Sequence, residues 1–278
     1  MAEEGGTMPV LGNSAAVVFG GGSGIGAETA RALARAGARV TVAGPDEAEL
    51  RAVADETGGD WTVVDATDQS RVKTFFNGLD TVDICVYASG VGAFAPVLAT
   101  DLDTWRRLMA VNVEGALSVI QAAAGVMLRG DRPGSIVTIT SINAEQPVRG
   151  MAAYSASKAA LISLTQVAAL ELAPAGIRVN AVTPGVTETA MLAPVLADPQ
   201  VRQEFVARTP AGRIGAPADI AHAVVFCCSP ESYWVNGQVI HVDGGLHLCG
   251  SPSGFGPPEM WRRDGLLRQS EQSPATTG

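Results

Sequence analysis

The sequence predicts an α/β fold of the doubly wound, Rossmann-like kind: a parallel sheet of about seven strands with helices on both faces. Three observations carry this. Short apolar runs alternate with longer runs of helical periodicity along most of the chain. The run S-I-V-T-I-T at 135–140 has the near-continuous apolar character of a parallel strand covered on both faces. The first strand-like run leads straight into a glycine-rich turn that opens a helix.

Taken in order, residues 1–12 are small, polar or flexible and are expected to form a loose terminus. S-A-A-V-V-F at 14–19 is the first strand, followed by G-G-G-S-G-I-G at 20–26 and a helix stopped by Gly37. Glycines there allow a tight turn and close backbone approach, and the helix N-terminus offers free N–H groups to a pyrophosphate. The second strand, 38–43, ends at Gly44, where an adenosine ribose is expected. A helix over 46–57, a strand over 60–65, a helix over 69–78 and a strand over 82–90 continue the alternation. A long helical region over 101–129 carries Trp105 and Asn112, whose amide needs partners if it is buried.

The fifth strand ends at Ser141, and an Ala- and Leu-rich helix over 151–172 follows. Tyr154 and Lys158 are four apart on it and share a face. An ammonium beside a phenol stabilises the phenolate, so the pair is expected to lower the tyrosine pKa and to move a proton near neutral pH. The sixth strand, 176–185, breaks at Pro184-Gly185. Residues 186–212 are expected to form a mobile lid at the carboxyl end of the sheet. A helix over 218–228 and a last strand over 237–245 complete a single domain over 13–248, with a polar tail over 249–278.

Composition narrows the partners. Nineteen basic residues against 28 acidic ones give a net charge of −9, which speaks against nucleic acid or an anionic membrane. No apolar run reaches membrane-spanning length, and M-A-E-E-G-G-T is no signal peptide. The four cysteines lack disulfide or zinc spacing, His222, His241 and His247 are scattered, and no metal is expected. A reducing, cytoplasmic setting is the default.

At this level of detail the chain resembles the short-chain dehydrogenases/reductases of the single-domain kind, over about 14–245. The family's T-G-x-x-x-G-I-G is matched by Phe19 to Gly26, its Y-x-x-x-K by Tyr154 and Lys158, its upstream serine by Ser141 and its helical asparagine by Asn112. Pro184-Gly185, Arg213 to Ala221 and Gly237 to Gly245 resemble its later signatures. The resemblance implies a secondary alcohol or ketone as substrate, either a 3-oxoacyl thioester or a lipophilic hydroxy compound. Tyr154 would be the acid/base, Lys158 its electrostatic partner and ribose ligand, Ser141 a donor to the substrate oxygen, and Asn112 the holder of a water. Cofactor contacts are implied at Gly20, Gly22, Ser23, Gly24, Ile25, Gly26, Gly44, Asp65, Ala66, Ala88, Ser89, Gly90, Tyr154, Lys158, Pro184, Gly185, Thr187 and Thr189. A homo-oligomer, a tetramer, is implied as well.

Three departures stand out. Phe19 replaces the family's threonine, and Tyr87-Ala88-Ser89-Gly90 replaces N-N-A-G, removing two amides that brace the sheet. Gly44 and Pro45 stand where an acid for a 2′-hydroxyl or an arginine for a 2′-phosphate is usual. With no cation at Ser23, Gly44 or Pro45 and acids at Asp46 and Glu47, the sequence favours NAD(H) and leaves NADP(H) open. The competing reading is a catalytically silent dinucleotide-binding sensor or scaffold, favoured by the loss of N-N-A-G and opposed by the intact Ser141, Tyr154, Lys158 and Asn112 set.

Overall fold

A computed structural model describes residues 10–249, together with Gly265 and Arg268. The chain runs β1 (Ala15–Phe19), α1 (Gly24–Arg35), β2 (Arg39–Gly44), α2 (Glu47–Thr57), β3 (Asp60–Val63), α3 (Gln69–Asn77), β4 (Ile84–Tyr87), α4 (Leu102–Met109), α5 (Gly115–Arg129), β5 (Gly134–Ile139), α6 (Ala152–Leu172), β6 (Ile177–Pro184), α7 (Ala193–Leu196), α8 (Pro199–Arg208), α9 (Pro217–Cys228), β7 (Val239–Val242) and α10 (Leu246–Cys249). The seven strands form one parallel sheet in the order β3-β2-β1-β4-β5-β6-β7. Strand order reverses between β1 and β4, and in open α/β sheets that switch point opens a crevice at the carboxyl ends of the strands.

Alternate residues of each strand feed opposite faces. Val17 and Phe19 join Val72, Phe76, Val119 and Leu161 on one side. Ala16 and Val18 join Leu33, Leu50, Val53 and Val224 on the other. Phe19, which departs from the family's threonine, stacks on Phe76 at 5.8 Å between ring centroids and meets Phe75 edge-on at 6.1 Å. The lost hydroxyl is thus replaced by an aromatic cluster.

Three features differ from the sequence expectations. The helical region over 101–129 is interrupted: Ala110–Glu114 is a π-helical turn joining α4 to α5, and it carries Asn112. Such single-turn widenings often mark functional positions. The stretch Leu102–Arg129 also has the length and hydropathy of a membrane-crossing helix, yet half of its apolar window is buried within the fold. The expected lid contains two helices, α7 and α8, gathered around Leu196, Phe205 and Ile214. At the start of the chain, residues 10–12 are tied down, with Leu11 buried and its N–H on the Ala36 carbonyl at 2.8 Å. The rest of the expected loose terminus, and the tail beyond Cys249 apart from Gly265 and Arg268, lie outside the described residues.

Candidate active site

Ser141 lies one residue beyond β5, after Thr140, whose N–H still bonds the Val182 carbonyl of β6 at 2.9 Å, and it caps a short 3-10 turn over Ile142–Ala144. Its Oγ accepts from the Asn143 N–H at 3.2 Å. Tyr154 sits in the first turn of α6, close enough to Ser141 for the serine to favour its phenolate. Lys158, one turn further on and 4% exposed, donates from Nζ to the Ile139 carbonyl at 2.9 Å. That bond holds the Lys158 Nζ over the Tyr154 ring, 5.8 Å from its centroid.

Electrostatics here differ from the expectation. Burial pushes the Tyr154 hydroxyl above its ordinary value, with the neighbouring Ser141 pulling the other way. Burial also pushes Lys158 down, to about 8. The expected lowering of Tyr154 by the neighbouring ammonium does not emerge, because loss of water around both groups outweighs a charge that faces the ring.

Asn112 is fully buried, and the π turn aims its amide at the loop after β4. Its Oδ1 accepts from the Val91 N–H at 2.9 Å, while Nδ2 donates to the Val91 carbonyl at 3.0 Å and to Ser157 Oγ at 2.9 Å. Ser157 Oγ donates in turn to the Tyr154 carbonyl at 2.7 Å. The amide expected to hold a water is therefore committed to protein partners, and it ties the β4 loop to the helix of Tyr154. Gly90 completes this junction: a β-carbon there would lie 3.2 Å from Lys158 Nζ and 3.5 Å from Asn112 Oδ1. Val91 and Ser157 were not singled out from the sequence. Ser157 had a signal, since it lies three residues from Tyr154 in S-A-S-K.

The glycine-rich turn fits a dinucleotide. Gly20 has φ +75°, and a β-carbon there would come within 2.6 Å of the Ser89 nitrogen. On Gly26 it would stand 1.9 Å from the Gly20 carbonyl oxygen, so the chain folds back at van der Waals limits and leaves the start of α1 open to a phosphate. Ser23 is the N-cap of α1 and makes no side-chain cap bond. Thr189 from the expected lid reaches across, 3.5 Å from where a Gly24 β-carbon would be. Ala88 N–H bonds the Phe19 carbonyl at 2.8 Å, placing Ala88, Ser89 and Gly90 beside the turn. Gly44 ends β2, exposed Asp65 accepts from the Thr67 N–H and hydroxyl, and Ala66 is buried. At the far side, Pro184 ends β6, and Thr187 Oγ1 donates to the Gly185 carbonyl at 3.1 Å.

A family model described as Enoyl-(Acyl carrier protein) reductase, adh_short_C2, matches residues 20–247. The chain is a short-chain dehydrogenase/reductase. This family comprises NAD(P)-dependent oxidoreductases acting on CH–OH groups. Among similar members, the inactive 2-(S)-hydroxypropyl-CoM dehydrogenase 2 of Xanthobacter autotrophicus is 39% identical, over 78% of this chain and 98% of that one. The 3-oxoacyl-[acyl-carrier-protein] reductase FabG of Aquifex aeolicus is 35% identical over 83% and 96%. A solved structure of a putative NAD(P)-dependent gluconate 5-dehydrogenase from Beutenbergia cavernae, with bound NADP at low occupancy, superposes with a TM-score of 0.81 at 38% identity, covering 86% of this chain and 98% of that one.

Two histidines that the sequence scatters are neighbours in this short-chain dehydrogenase/reductase. The His241 and His247 rings stack at 4.5 Å between centroids, His241 on Glu145 and His247 on Asp243, each at 2.8 Å. No grouping of three or more metal-binding side chains forms among the described residues.

Proposed function

We propose that the chain interconverts a secondary alcohol and a ketone, with NAD(H) as its cofactor and Tyr154 as the acid/base. The observation that carries this is the buried Lys158, one helical turn from Tyr154 with its Nζ 5.8 Å from the ring centroid, beside Ser141 beyond the carboxyl end of β5. When bound, the nicotinamide supplies or takes up the hydride. The chain's own part is the proton. In reduction Tyr154 gives its hydroxyl proton to the carbonyl oxygen, and in oxidation the phenolate takes one from the alcohol. Ser141 donates to the same oxygen as negative charge grows there. Lys158 supplies positive charge beneath the ring. Asn112 holds the β4 loop and α6 in register.

Apolar groups border Tyr154: a β-carbon on Gly92 would be in ordinary contact, 3.6 Å from Met191 Sδ and 4.0 Å from Tyr154 Cδ2. We take a 3-oxoacyl thioester or a lipophilic hydroxy compound as the substrate. The relative FabG is named for the first of these reactions. The buried free thiols Cys85, Cys227 and Cys228 suit a reducing, cytoplasmic setting. We take the 186–212 segment as the lid of a single domain, 13–248.

One specific observation favours the silent-sensor reading: the relative 39% identical to this chain is named inactive. The intact four-residue set argues the other way. Nicotinamide fluorescence on mixing with reduced cofactor, followed by turnover against a panel of ketones and 3-oxoacyl thioesters, separates the two. Binding with turnover supports the enzyme; binding with no turnover on any substrate supports the sensor.

A further inference from the structure

Neither Gly44 nor Pro45 offers an acid at the end of β2, yet the structure brings a carboxylate to that crevice from another direction. A β-carbon on Gly22 would meet Glu49 Cβ at 2.9 Å and Glu49 Oε2 at 3.3 Å, so the Glu49 side chain lies against the bare main chain of the glycine-rich turn. We propose that Glu49 is the specificity residue that favours a free ribose 2′-hydroxyl over a 2′-phosphate. The inference rests on the dinucleotide reading above.

Glu49 is held there by its neighbours. Asp46 caps α2, its Oδ1 accepting from the Glu49 N–H at 3.0 Å, which turns that acid onto the helix end. Leu50 is 1% exposed and packs against Gly44, lying 3.5 Å from where its β-carbon would be. With Asp46 on the helix end and Leu50 buried, the Glu49 side chain lies against Gly22, which precedes the exposed Ser23. No cation pairs with it among the described residues. Of the basic residues on this flank, Arg51 on α2 makes no ion pair with Glu49, and Arg71 lies one strand further out, donating to the Val63 carbonyl at 3.5 Å. A carboxylate free of a cation accepts a hydroxyl readily and repels a phosphate. One such repulsion at a partly hydrated surface amounts to about tenfold in affinity.

Dissociation constants for NADH and NADPH are measured by nicotinamide fluorescence at one salt concentration, for the wild type, Glu49→Gln, Glu49→Arg and Glu47→Gln. ADP-ribose and its 2′-phosphate serve as probes lacking the nicotinamide. The expected wild type favours NADH by about tenfold or more, Glu49→Gln removes most of that ratio, Glu49→Arg reverses it and Glu47→Gln leaves it unchanged. The two ADP-ribose probes follow the same order. A wild-type preference for NADPH, or a ratio that Glu49→Gln leaves in place, overturns the role of Glu49 while the dinucleotide site stands. Failure of the wild type to bind any of the four ligands overturns both.

Discussion

The Tyr87 hydroxyl occupies the space that a β-carbon on Gly115 would need, 2.6 Å from that position, and it donates to the Val111 carbonyl inside the π turn. Tyr87 stands where the family pattern begins N-N-A-G. The departure thus exchanges one bracing device for another, since a buried phenol now reaches from β4 to the turn that carries Asn112. Tyr87→Phe is expected to remove a buried hydrogen bond to the Val111 carbonyl and to cost about 1 kcal/mol in chemical denaturation. Gly115→Ala is expected to cost at least as much. In the double variant the two losses fall short of additive, because the clash with the hydroxyl is gone. Strict additivity would show that the contact has no energetic weight.

Tyr154→Phe is expected to lower kcat by about 10²–10⁴-fold, as loss of a general acid/base does. The NADH dissociation constant should move little. Retention of most of the wild-type kcat on a substrate from the panel would remove Tyr154 from the proton transfer.

Lys158→Met gives a pH signature. Below about pH 8 the ammonium is charged in folded and unfolded chains alike, and the folded state bears the full cost of burying it. As pH rises from about 8 towards the ordinary value of 10.5, only the unfolded chain holds the extra proton, and the wild type gains stability from this group. The stability of Lys158→Met relative to wild type should therefore fall by about 3 kcal/mol between pH 7 and 10.5 without cofactor. Urea titrations at four pH values would read it, and a constant difference would contradict it.

The proposed tetramer has a candidate contact face. Leu117 and Leu128 on α5 are exposed, as are Val167 and Leu170 on α6, with Leu170 77% accessible. Light scattering at micromolar concentration is expected to give a multimeric mass, and Leu170→Glu is expected to lower it. A monomeric wild type would count against the proposal.

Strand–helix alternation, the glycine-rich turn and the Tyr154–Lys158 pair were legible because each depends on local spacing, and local spacing survives folding unchanged. The seven strands lie within or beside their apolar runs, with β2 and β5 shifted by one residue and β4 and β7 three residues shorter at their carboxyl ends. The π turn was not legible, since V-N-V has ordinary helical periodicity and Tyr87, which bonds the turn at Val111, lies 24 residues away. The Asn112 partners were hidden for the same reason: Val91 and Ser157 lie 21 and 45 residues from it. Spacing also misjudged the Tyr154 pKa, because sequence gives the distance between charges along a helix but not the water that packing removes.

Val91 has its N–H bonded to a side chain of the π turn, whereas the Ala88 N–H three residues earlier is bonded to the β1 carbonyl of Phe19. Two amides in one short loop thus report on different openings. Hydrogen exchange at Ala88 follows separation of the central strands, among the most protected events in a sheet of this kind. Exchange at Val91 follows release of Asn112, and so clocks how often the junction under Lys158 comes apart while the sheet stays whole.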